Sequence, residues 1–168
     1  MQASLGRKGD YSVRALIDIA RGRGDRRKAR EIASEMGIPN RYLTQILANL
    51  VQHGLLAAVA GPSGGYVLAR PSDEISLLEI VEAAEGPIAL DVCVLRGGPC
   101  SWETSCPVHI PWARAQNAMA EQLSTTSLAD LVGIDGDLAA GTHQLPEDTP
   151  PHRIPTTRLP RKPGKRDG

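Results

Sequence analysis

Only three residues, Gly37-Ile38-Pro39, separate two segments of this chain that both carry apolar side chains at helical spacing. Upstream, Ile32, Ala33 and Met36 share one face of a helix expected over 29–36. Downstream, Leu43, Ile46, Leu47, Leu50 and Val51 form an apolar stripe that opens at Pro39-Asn40 and stops at Gly54. Gly37 sits where a left-handed C-cap belongs. Pro39 is tolerated in a first turn because its missing N–H would be unpaired there. So short a connection fits the turn of roughly three to four residues in a helix-turn-helix.

The flanking segments complete the pattern. Val13, Leu16, Ile17 and Ala20 predict a first helix over about 10–21, broken by Gly22 and Gly24. After the third helix, the apolar runs Leu55–Ala60 and Tyr66–Ala69 flank GPSGG, which reads as a β-hairpin with a glycine-rich tip. Ser76 and Glu79 form a capping box for a fourth helix, with Ile75 and Ile80 as its hydrophobic staple. That helix ends at about Glu85, before Gly86-Pro87. Pro111 leads a long helix to about Ser124, with Trp112, Ala115, Met119, Gln122 and Leu123 along one side, and Ser127 caps a short final turn. From Gly136 onward six of 33 residues are proline and no period survives, so a disordered tail is expected.

The expected fold is therefore mainly α with a small β-hairpin wing. Residues 1–86 form a winged helix-turn-helix domain, 87–109 a cysteine-bearing loop, 110–135 a dimerisation helix and 136–168 the tail. With 41% apolar but only 3% aromatic residues and no phenylalanine, the core must be aliphatic. No run approaches the ~18 apolar residues of a membrane span, and no apolar signal opens the chain, so a cytoplasmic protein is expected. No nucleophile–base pair, P-loop or dinucleotide glycine fingerprint is present, which argues against an enzyme.

The 168 residues carry 19 Lys+Arg and 19 Asp+Glu, yet the balance is polarised. Residues 1–70 hold 11 basic and 5 acidic side chains, and residues 71–135 hold 2 and 10. A basic winged-helix half suits double-stranded DNA. On the third helix Asn40, Arg41, Thr44, Gln45 and Asn49 face outward, and Arg and Gln can make bidentate contacts to guanine and adenine edges. Lys28, Tyr42 and the wing residues Gly61, Ser63, Gly64 and Gly65 complete the predicted DNA-facing set; the glycines would let the backbone approach a groove. Arg7, Lys8, Arg14, Arg26, Arg27 and Arg30 are further expected phosphate contacts.

Cys93, Cys100 and Cys106 are spaced C-x6-C-x5-C, with His109 following as C-x2-H. An odd count argues against a structural disulfide framework. The gaps are wider than those of a zinc knuckle. Thiolates along a glycine-containing loop suit an iron–sulfur cluster, with His109 as the local fourth ligand; thiol-only redox sensing and structural zinc in a protein-interaction module are the alternatives. Asp10 reads, on its own, as a first-turn carboxylate favoured by the helix dipole.

DYSVRALIDIA, IASEMGIPNRYLTQILANLVQHGLL, GPSGGYVLAR and ISLLEIVEAAEG resemble the Rrf-type bacterial regulators over about residues 4–135. The group includes iron–sulfur cluster regulators and nitric-oxide-sensing repressors. The resemblance implies a homodimeric winged-helix transcription factor, a repressor, whose long C-terminal helix packs against its partner's. It implies a cluster, [2Fe–2S] or [4Fe–4S], on Cys93, Cys100 and Cys106. In nitric-oxide-sensing relatives an aspartate at the place of Asp10 ligates the cluster from the other subunit, so Asp10 rivals His109. Ala60 and Thr44 depart from residues found in some relatives, so no operator sequence transfers.

Overall fold

The computed structural model describes residues 5–88 and 106–142. Helices α1 (Arg7–Arg21), α2 (Ala29–Met36) and α3 (Asn40–Gln52) are followed by the antiparallel strands β1 (Leu56–Val59) and β2 (Gly65–Leu68). A 3-10 turn (Ser72–Glu74) then leads to α4 (Leu77–Glu85), α5 (His109–Thr125) and α6 (Leu128–Ala140). The hairpin pairs Leu56 with Leu68 and Val59 with Gly65. This is the expected mainly α architecture with a small wing.

The core is aliphatic, as a chain without phenylalanine requires. Leu16, Ile32, Leu43, Leu47, Leu50, Ile75, Ile80 and Leu128 are fully buried in one cluster. Helix α1 is its axis, packing against α2, α3, α4, α6 and β2. The α2–α3 turn is closed by Gly37, whose φ of 64° places it in the left-handed region that glycine adopts without a Cβ penalty. Pro39 stands as the N-cap of α3, one position before the first turn.

Two helix starts are built alike and stitched together. Ser76 accepts the Glu79 N–H at 3.2 Å, and Glu79 accepts the Ser76 N–H at 2.9 Å. Ser127 and Asp130 repeat the arrangement at the head of α6. Between them the Leu77 N–H donates to Thr126 O at 2.7 Å and the Leu128 N–H to Ile75 O at 2.8 Å. The capping carboxylate of Glu79 also accepts from Arg70 at 2.7 Å. Burial pushes the Glu79 pKa up, but the hydrogen bonds from Ser76 and Arg70 outweigh it and the group ends below its ordinary 4.5. Asp130 is likewise lowered, by its bonds from Ser127.

A depressed carboxylate contributes stability that is present above its unfolded pKa and lost as pH falls through the folded one. Thermal midpoints should therefore be insensitive to pH near neutrality and decline below about pH 4.5. Glu79→Gln should lower the midpoint at pH 7 and remove part of the acid decline; an acid limb unchanged in the variant would contradict this assignment.

The structure differs from the sequence reading at several ends. Helix α1 begins at Arg7 and α5 at His109, so Pro111 falls inside the first turn rather than leading the helix. The short turn expected after Ser127 is a 13-residue helix reaching Ala140, so the tail boundary at 136 is corrected: residues 136–140 are helical. Asp135 on this extension pairs with Arg21 of α1, a distant contact that local periodicity does not announce. The rest of the tail, from 143, lies outside the described residues. No helix among the described residues is long and apolar enough to cross a membrane.

Candidate DNA interface and cysteine site

The inner stripe of α3, with Leu43, Ile46, Leu47 and Leu50 buried, turns the opposite face outward. Asn40, Arg41, Tyr42, Thr44 and Gln45 are exposed, and Asn49 is half-buried. Arg41 is pre-positioned: its Nη2 donates to the Tyr42 hydroxyl at 3.0 Å and its guanidinium lies 4.6 Å from the Tyr42 ring centre. Such a cation–π contact restricts a long side chain while leaving its charge available. The Thr44 hydroxyl donates to Asn40 O at 3.2 Å, tying it to its own helix.

The wing packs on α3 through β1, and it has a third member. The Arg27 N–H donates to Tyr66 O at 3.0 Å, and the Tyr66 N–H to Arg27 O at 2.8 Å, so one residue of the α1–α2 connection pairs with β2. Arg26 Nη1 reaches Ser63 O at the wing tip at 3.5 Å. Lys28, next along, is exposed and is the N-cap of α2, its N–H donating to the Glu31 carboxylate at 3.1 Å. Lys28, Arg26 and Ser63 are all exposed, and Arg26 links the α1–α2 connection to the wing tip.

The glycines and one of the arginines need a different explanation from the one sequence suggested. A Cβ at Gly65 would lie 2.7 Å from Arg27 O, and one at Gly64 would strike Val59 O and lie 2.8 Å from Gly61 O. Both glycines are therefore required by the wing's own backbone, whatever else approaches it. Gly61 has a φ of 107°, which the turn itself demands. Arg27 is committed inward: Nε and Nη2 each lie 3.0 Å from the carboxylate oxygens of Asp18, and Nη1 lies 3.9 Å from Glu31. Arg14 is engaged by Asp10 at 2.8 Å. Arg27 is thereby corrected from a phosphate contact to an ion-pair partner, while Arg14 stays partly exposed beside Asp10.

Sequence reasoning passed over two carboxylates. Asp18 lies among the apolar positions of α1 and is only 3% exposed, and a buried charge needs a partner. That interruption of the stripe was the available signal. Glu85, the last residue of α4, accepts the Gly9 N–H at 2.8 Å and so caps α1, whose Gly6 supplies no side-chain cap. A Cβ at Gly6 would lie 2.7 Å from Glu85 Oε1 and one at Gly9 3.0 Å away, so both glycines admit this carboxylate to the positive end of the helix. No local pattern could reveal a contact 76 residues apart.

Of the predicted cluster ligands, Cys93 and Cys100 lie outside the described residues. Cys106 is a half-buried free thiol, and the His109 N–H donates to Cys106 O at 3.2 Å, closing the turn that starts α5. His109 is exposed. Asp10 lies in the first turn of α1, hydrogen-bonded to Arg14. The described residues bring no three His, Cys, Asp or Glu side chains together as a metal site.

Replacing Arg41 or Gln45 by Ala should reduce discrimination between base sequences by about 1–3 kcal/mol where the contact is bidentate. Lys28→Ala should weaken binding to every sequence and flatten its salt dependence. Fluorescence anisotropy with specific and scrambled duplexes separates these outcomes, and identical behaviour of the variants would displace the recognition face from α3.

A profile of the Rrf2 family, described as iron-dependent transcriptional regulators, matches residues 5–134. The HTH-type transcriptional regulator IscR of Sodalis glossinidius is 35% identical over 127 residues, which cover 74% of this chain and 76% of that protein. The solved structure of T. potens IscR is 30% identical with a TM-score of 0.62, covering 83% of this chain and 92% of that one. That of CymR, the global cysteine regulator of B. subtilis, is 29% identical with a TM-score of 0.65, covering 79% and 98%. A winged-helix frame matched from end to end by the family profile, together with these relatives, places this chain in the Rrf2 family of DNA-binding transcriptional regulators.

Proposed function

We propose that this regulator binds a pseudo-palindromic operator as a homodimer and represses transcription, with its affinity set by an iron–sulfur cluster on Cys93, Cys100 and Cys106. The observation that carries the reading is the setting of Cys106. It lies just before α5, a 17-residue helix with no buried residue, whose Ile110 and Met119 are exposed, as is its N-cap Val108. Helices in water draw most of their stability from tertiary packing of one face, and a second copy of α5 would provide it. Two recognition helices would then enter successive major grooves.

The donor set fits such a cluster: three thiols, with the His109 imidazole or the partner subunit's Asp10 for the remaining position, and [2Fe–2S] or [4Fe–4S] according to which is used. The bound cluster would supply a centre that reacts with nitric oxide and oxidants. The chain's own residues do the rest. Arg14 holds Asp10 through Oδ1 alone, so Oδ2 could serve while Arg14 keeps the carboxylate oriented. Cys106 would tie the loop to the head of α5. A state that holds the loop against α1 of the other subunit would bias the separation of the recognition helices, a two-state element of the kind that ligation can shift.

The likeness to the cysteine regulator CymR favours a second reading, in which the thiols respond to oxidation with no metal bound. Anaerobic purification decides between them. A brown protein with iron and sulfide in stoichiometric amounts, whose visible absorption is lost in Cys106→Ser, is the expected result. Operator affinity should then differ between the cluster-loaded, nitric-oxide-treated and apo forms; equal affinities would sink the switch. A colourless, metal-free protein whose binding changes on thiol oxidation would establish the second reading, and stoichiometric zinc would replace both.

A further inference from the structure

The geometry points to the pair of half-buried Arg27 and buried Asp18 as a positioning, specificity-determining element for DNA: it pins the wing to the helix-turn-helix at one residue. The inference rests on the DNA interface assigned above. Arg27 joins three parts of that interface. Its backbone pairs in both directions with Tyr66 of β2, its successor Lys28 is the N-cap of α2, and its side chain is held by Asp18 on α1 through two bonds of 3.0 Å. Its predecessor Arg26 reaches Ser63 at the wing tip.

The charge of Arg27 is spent inward. The Asp18 hydrogen bond holds the guanidinium even more firmly in its charged form, and Glu31 stands on its remaining side. The Nε/Nη2 edge of the guanidinium is occupied by Asp18, so that fork is closed to a phosphate. What it does instead is fix where the wing stands relative to α3, because α1 packs directly on both α3 and β2. The close approach at Gly65, where a Cβ would meet Arg27 O at 2.7 Å, shows how little slack the junction has. A recognition helix in one groove and a wing in the next read a sequence together only if their separation is held, whereas sequence-independent attraction tolerates a displaced wing.

The test uses the full chain, a duplex selected from a random-sequence library by the wild type, and a scrambled duplex of the same length. Arg27→Lys, Asp18→Asn and Gly65→Ala should each lose roughly tenfold in affinity for the selected duplex, the scale of one charge-assisted bond. Binding to the scrambled duplex and its salt slope should stay at the wild-type value, while Lys28→Ala lowers both. Amide hydrogen exchange adds a readout independent of DNA: the Arg27 and Tyr66 amides should exchange faster in Asp18→Asn, with those of Leu47 and Leu50 unchanged, which also verifies folding. Wild-type affinity in Arg27→Lys together with a flattened salt slope in Arg27→Gln would make Arg27 a phosphate contact and overturn the proposal. So would unaltered exchange at Arg27 and Tyr66. A wild type that enriches no sequence from the library would overturn the interface assignment itself, a different result from either.

Discussion

Leu47→Ala is expected to destabilise the protein by about 2–5 kcal/mol, the range for removing a buried leucine side chain and leaving a cavity. Leu47 is fully buried on α3, within the same cluster as Leu16, Ile32, Leu43 and Leu50. Because the chain contains no phenylalanine, the cluster is filled by branched aliphatic side chains already packed against one another. Such a core refills a void poorly, so the upper part of the range is expected. A domain of this size is stable by roughly 5–15 kcal/mol in total, so the loss is a large share of it. In urea unfolding the midpoint should fall while the slope of free energy against denaturant stays constant. Gln45→Ala, on the exposed face of the same helix, should leave the midpoint within about 0.5 kcal/mol of wild type. A Leu47→Ala variant that loses less than about 1 kcal/mol would mean that the cluster can collapse around the gap.

That contrast between two faces of one helix was legible in the sequence because it is a matter of spacing. The apolar stripe of α3, the Gly37 cap and the Ser76–Glu79 capping box are all set by residues within a turn or two of each other, and each lies where expected. What the sequence hid was set at a distance. Helix α6 was legible at its Ser127 start but not at its end, because Gly133 and Gly136 weaken its intrinsic propensity and contacts with α1, among them Asp135 with Arg21, help hold it. A strand one residue long has no alternation to detect, so the pairing of Arg27 with Tyr66 left no periodic trace. For the same reason Arg27 read as a free cation until Asp18, on another element, claimed it. The glycines of GPSGG were read for the right property and the wrong neighbour: Gly64 and Gly65 permit a close approach, and what approaches is Val59 and Arg27 of the same chain.

Gly64→Ala is the sharpest consequence of that neighbour. Around a Cβ at this position stand Val59 O, Gly61 O and the carbonyl carbon of Ala60, all backbone atoms with no rotamer to swing aside. The Gly64 N–H also donates to Gly61 O at 2.9 Å, so relieving the collision breaks the turn that orders the tip. The next pair along, Val59 with Gly65, would lose its register, and Arg27 would be drawn with it. Operator affinity should fall by tenfold or more, about 1.4 kcal/mol at the least. The thermal midpoint should also fall, but by less than in Leu47→Ala, because the tip, residues 61–63, is exposed and adds nothing to the buried cluster. Gly61→Ala meets open space but a φ of 107°, and should cost about 1 kcal/mol or slightly more through backbone strain alone. Pro62→Ala, exposed and outside both constraints, should bind as wild type. The order Gly64, Gly61, Pro62 in binding, measured at a temperature where every variant is folded, is the signature of a wing that acts at the DNA. If Gly64→Ala instead binds with full affinity, the tip can relax without consequence and recognition rests on α3 alone.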